Sequence, residues 1–238
     1  MSDVPPLVTL HVWRVPRARL GSALRRMAVD RRRLRALPGV RFGKLLGTGT
    51  GDGFGPGDAD LTRYAALVAW DDPAGGGLGR VGAAWDALAA GSARIELSPL
   101  TSRGSWSGQS PFGTPAGGRT DAPVLALTRA RLRPARTLTF WRAIPAVARE
   151  LAEAPGVLAR FGIGEAPIGW QGTVSVWQRE ADLTAFAYRQ PEHRAVIART
   201  PAARWYAEEL FARFAVRGVS GDKAVLGWKD LSRREGER

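Results

Sequence analysis

Apolar and polar residues alternate along "VTLHVWRV" (8–15), the period of a strand with one buried face. Residues 17–36 switch to helical spacing, with Leu20, Leu24, Met27 and Leu34 recurring on one side and Leu37 just beyond. After "LPGV" comes "RFGKLLG" (41–47), a short strand, and "RYAALVAW" (63–70) reads as a buried one. "GRVGAAWDALAAG" (79–91) predicts a helix closed by glycine, and "ARIELSPL" (93–100) a last strand. The order is βαββαβ.

The second half repeats it. "VLALTRARL" (124–132) alternates as a strand, and a helix over 137–154 presents Phe140, Ile144, Val147 and Leu151. Then come "PGVLARFGIG" and "GTVSVWQ", a helical region over 180–212 and "FARFAVRGV". Landmarks recur in order: "LPGV" answers "APGV", "LGTG" answers "FGIG", "LVAW" answers "VSVW" and "AAWDA" answers "ARWYA". The pattern predicts an α+β fold of two tandem ferredoxin-like βαββαβ units forming a fused α+β barrel. The first unit is 1–107, the Pro/Gly/Ser-rich linker 108–123, the second unit 124–228 and a charged tail 229–238. The halves differ in two places. "FGKLLGTGTGDGFGPG" (42–57) contains an insertion of eight residues, and the second half is longer around "YRQPEHRAVIART" (188–200).

The glycine-rich stretch lacks both G-x-x-x-x-G-K-[ST] and G-x-G-x-x-G, so it is not a nucleotide cradle. Composition narrows the chemistry further. The absence of cysteine excludes disulfides, thiolate metal sites, iron–sulfur clusters and cysteine nucleophiles. No G-x-S-x-G or H-E-x-x-H motif points to hydrolysis. With two histidines, His11 in a strand and His193 in "RQPEHRAVI", a three-histidine zinc site is excluded; a single axial bond suffices for haem. Arg189, Arg194 and Arg199 near His193 suit two propionates.

The formal charge of +13 comes from 32 arginines and the lysines Lys44, Lys223 and Lys229. It suits an anionic partner, yet no zinc-finger, RNP-type or basic-zipper motif accompanies it, so nucleic acid is not the expected partner. The helix at 17–36 carries eight arginines against Asp30, either as a solvated face or for contact with an anionic bilayer. No run of eighteen apolar residues and no secretory leader pattern occurs, which places the expected site of action in the cytoplasm, including the inner membrane face.

Five stretches resemble the spheroidene monooxygenase family: "FGKLLGTGTGDGF" (42–54), "SRGSWSGQSPF" (102–112), "ALTRARLRPARTLTFWRAIPAV" (126–147), "FGIGEAPIGWQGTVSVW" (161–177) and "YRQPEHRAVIARTPAARWYAEELFARFAV" (188–216). The chain departs from that pattern at Gly43, where an aromatic residue usually precedes the lysine. The resemblance implies a haem b monooxygenase that uses O2 and an external donor such as a ferredoxin to place a keto group on an acyclic carotenoid. It implies His193 as the axial haem ligand. It also implies a glycine loop (Gly47, Gly49, Gly51) packed at the mouth of a ligand cavity, with Lys44 and Phe54 contacting the substrate and Trp106 and Trp205 among its walls. The other reading of the same residues is a cofactor-free α+β barrel binding a hydrophobic ligand.

Overall fold

The computed structural model describes residues 3–52, 56–72, 74, 76–165, 170–189 and 205–229. The first half runs β1 (Leu7–Arg14), α1 (Leu20–Arg35), β2 (Val40–Gly49), β3 (Ala59–Trp70), α2 (Gly79–Asp86) and β4 (Gly91–Gly104). The second runs β5 (Val124–Leu132), α3 (Thr137–Glu153), β6 (Val157–Gly164), β7 (Trp170–Trp177), α4 (Glu180–Arg189) and β8 (Tyr206–Gly221). The eight strands close into one barrel in the order β1-β3-β2-β6-β7-β5-β8-β4, and every pairing is antiparallel. Each half thus contributes four adjacent strands, and the matching "LPGV" and "APGV" turns both carry a left-handed glycine, Gly39 (φ 74°) and Gly156 (φ 79°).

Two seams join the halves, and they are unequal. β4 and β8 pair from Ala93–Gly221 to Gly104–Leu210. β2 and β6 share, among the described residues, only Gly47–Gly164 and Thr48–Ile163. Strand alternation turns Val8, Leu10, Val12, Leu125, Leu127 and Phe214 into a barrel interior that also takes in Trp106 and Phe112. Phe112 belongs to the 108–123 connection and stands edge-on to Phe214, so this segment is pinned into the core rather than merely spanning a gap.

Several sequence expectations need correction. Of the helix expected over 180–212, the described residues Glu180–Arg189 are helical, residues 190–204 lie outside the described residues, and Tyr206 onward is the strand β8. In "YAEELFARFAV" the residues Ala, Glu and Leu favour helix, but Leu210, Ala212 and Phe214 alternate into the barrel, and burial overrides propensity. Trp85 accordingly lies on a helix and Trp205 beside a strand, so "AAWDA" and "ARWYA" are not equivalent. Helix α2 stops at Asp86 rather than 91. On α1 the buried residues are Ala23, Asp30 and Leu34, while Leu24 is 58% exposed.

Candidate functional site

Three regions carry the chemistry. The first closes one end of the barrel. The alternation Leu125, Leu127, Arg129 along β5 aims Arg129 inward, where it is buried and bound to Glu165 at 2.9 Å and to Glu208. Lys44, on the inward side of β2 with Phe42 and Leu46, reaches Glu165 at 2.7 Å and the Ser107 hydroxyl at 2.7 Å. The fully buried Trp106 donates its indole N–H to Glu165 at 2.6 Å and offers its ring to both cations. Glu165 is the hub: burial pushes its carboxyl up, but Lys44, Trp106 and Arg129 together hold it below the ordinary carboxylate range. Burial acts likewise on Glu208, yet the Gly108 amide and Arg129 bring it down to about 2. Two cations and two carboxylates thus neutralise each other, joining β2, β5, β8 and the segment after β4.

The second region is a cleft of about 320 Å³ just outside that cluster, lined by Arg31 and Arg35 of α1, Arg41 and Lys44 of β2, Ser107 and Glu165 among others. Arg31 spans the short β2–β6 seam by donating to the Glu165 carbonyl at 2.8 Å. The glycine stretch holds the same seam. Beyond β2 its backbone runs against β6: a Cβ on Gly49 would lie 3.6 Å from the Gly162 Cα, and one on Gly51 3.1 Å from the Arg160 carbonyl. Gly51 has φ 92°, and the Asp58 side chain accepts its amide N–H at 3.1 Å.

The third region is the helix-covered face of each sheet, and here the halves part company. Under α1 and α2 lies one continuous apolar cluster, with His11 stacked on Trp13, Trp13 on Trp85, and Tyr64 against Trp85. Burial, and then Arg94 beside it, pushes His11 down to about 3, so its imidazole is neutral. The registers Leu7–Trp70 and Val124–Trp177 align the halves and put Thr128 in the place of His11, Ala130 in that of Trp13 and Gln171 in that of Tyr64. Under α3 the apolar residues split into two clusters, one around Leu151 and Trp177, the other around Phe140 and Trp205. Between them Gln171 and Thr173 are half-buried where Tyr64 and Ala66 are buried, whereas Thr128 is half-buried as His11 is. The second half thus places Thr128, Ala130 and Gln171 where the first has His11, Trp13 and Tyr64.

Of the sequence-predicted site residues, Lys44 and Trp106 meet in the barrel-end cluster, Gly47, Gly49 and Gly51 line the seam, and Trp205 packs on Phe140 beneath α3. Phe54, His193, Arg194 and Arg199, and the side chain of Arg189, lie outside the described residues. Among the described residues no three His, Cys, Asp or Glu side chains converge as a metal site. Sequence reasoning missed Arg129, Glu165 and Glu208. The available signal for Arg129 was a charge in the apolar register of its strand.

The fold is that of aldoxime dehydratase: two solved structures, one with butyraldoxime, superpose with TM-scores of 0.58 and 0.59 at 12% and 11% identity, covering 88% and 91% of this chain and 80% and 81% of theirs. No family model matches the chain. Full-length relatives do. A spheroidene monooxygenase from Rhodobacter capsulatus is 34% identical over 238 aligned residues, 96% of this chain and 98% of the relative. One from Rubrivivax gelatinosus is 34% identical, over 92% of this chain and 88% of the relative. At this identity over nearly the whole of both chains, the protein belongs to the spheroidene monooxygenase family of oxidoreductases.

Proposed function

We propose that this protein is a haem-dependent monooxygenase that introduces a keto group into an acyclic carotenoid or a similar long apolar substrate. The observation that carries the cofactor is the contrast between the halves. The face filled by His11, Trp13, Tyr64 and Trp85 in the first half is floored by Thr128, Ala130 and Gln171 in the second, which suits a flat, largely apolar group beneath α3. His193 is the residue that would bind the iron, with Arg189, Arg194 and Arg199 at the propionates. Haem b supplies reductive O2 activation, with two electrons per turnover from an external donor such as a ferredoxin. At the substrate, one C–H becomes C–OH with one oxygen atom leaving as water; a second round at the same carbon gives a gem-diol, which loses water to the ketone. The second sheet and α3 hold the substrate near the reacting centre and keep water out.

We also infer that the chain is a tandem duplication of a ferredoxin-like unit, 1–107 and 124–228, joined by 108–123, with a tail at 229–238. We further propose that it works at the cytoplasmic surface of the membrane that holds such an apolar substrate. Among the described residues no helix is long and apolar enough to cross it. Purified protein supplied with haem is expected to develop a Soret band whose position and spin state change in His193→Ala. A protein without that band under any loading is the cofactor-free hydrophobic-ligand module instead.

A further inference from the structure

Helix α1 presents an outward face without a single acid. Positions 24, 28, 31 and 35 follow each other at helical spacing, as do 25, 29, 32 and 36, and all eight are exposed. They read Leu24, Ala28, Arg31, Arg35 and Arg25, Val29, Arg32, Ala36. Large apolar side chains stand open among the arginines, Leu24 at 58% and Val29 at 44% exposure. The helix's one acid, Asp30, is turned into the protein and neutralised by Arg26 at 3.2 Å and Arg33 at 3.1 Å. The guanidinium groups of Arg25 and Arg32 have no ion-pair or hydrogen-bond partner among the described residues. The stripe ends at the cleft, which Arg31 and Arg35 line together with the Lys44–Glu165 ion pair.

We propose that this face of α1, with the adjoining cleft, is a docking site for the phosphate groups of an anionic phospholipid bilayer. The inference deepens the membrane contact of the proposed function by naming its residues. Leu24 and Val29 enter the headgroup layer, Arg25 and Arg32 pair with surface phosphates, and Arg31 and Arg35 seat one phosphate at the cleft. A convex helix that mixes cations with exposed leucine and valine fits a bilayer better than an acidic protein, which would leave those two side chains in contact with charge.

The test is sedimentation of the full chain with vesicles of phosphatidylglycerol and phosphatidylcholine against vesicles of phosphatidylcholine alone. Wild type is expected to bind only the anionic vesicles. The double variant Arg25→Glu/Arg32→Glu should bind them at least about tenfold more weakly, since each basic residue near an anionic surface contributes about 1 kcal/mol. Leu24→Gln should weaken binding several-fold, with the melting temperature unchanged in both variants because the positions are exposed. Equal binding to both vesicle types, or unaltered binding by the variants, overturns the proposal. So does retention by an acidic donor protein but not by vesicles. Release from vesicles by inorganic phosphate at matched ionic strength would assign the cleft to a soluble phosphate and overturn it as well. Because sedimentation reads no catalysis, a chain that binds vesicles without developing a Soret band separates failure of the haem reading from failure of this one.

Discussion

Arg129 is neutralised entirely inside the protein, by Glu165 and Glu208, and Trp106 covers its face. Removing one partner of such a cluster leaves the others buried and unpaired, so Arg129→Met is expected to cost about 3–5 kcal/mol in denaturant unfolding. The acid side is equally specific. Glu208 titrates at about 2 in the folded chain and near an ordinary carboxylate value of about 4.3 when unfolded. A lowered folded value stabilises above the unfolded one, and that contribution is lost as pH falls from about 4.3 towards 2. Melting curves at pH 5, 4 and 3 should therefore show a smaller fall for Glu208→Gln than for wild type. Lys44 and Trp106 were singled out in the sequence, but as contacts of a substrate and not as partners of one carboxylate. Glu165 and Glu208 were not, since their partners come from distant strands. Arg129 and Arg131 look alike in "LTRARL", but only closure of the barrel buries the first and leaves the second at the exposed rim.

At the level of elements, periodicity located every strand, because a barrel buries one side of each. It failed between α4 and β8, where helix-favouring residues occupy an inward-alternating strand. It failed again on α1, where a leucine that completes a helical pattern points outward. The glycine stretch was legible as an insertion in one half, but not its partner, which lies in the other. Its alternation follows from passage along β6 without side chains. Gly51→Ala would put a Cβ 3.1 Å from both the Arg160 carbonyl and the Phe161 Cα at φ 92°. It should destabilise by about 1–3 kcal/mol, read as a lower denaturation midpoint.

On the scale of the whole molecule, the βαββαβ order of each half was readable from landmarks, but the difference between the halves was not, because it depends on which residues share a place in the paired registers. Taken with the proposed haem function, that correspondence predicts one haem per chain. Thr128→Trp, which restores bulk where His11 stands in the first half, should abolish the Soret band with little change in melting temperature, whereas Trp13→Ala should cost about 3–5 kcal/mol and leave haem stoichiometry unaltered. The inequality of the two seams bears on motion. A barrel bound, among the described residues, by eleven paired positions along β4–β8 and by two along β2–β6 resembles a book with a narrow clasp. The least work of opening falls at the clasp, where the Lys44–Glu165 and Asp52–Arg160 ion pairs, the Arg31 hydrogen bond and the side-chain-free backbone of the glycine stretch must let go together.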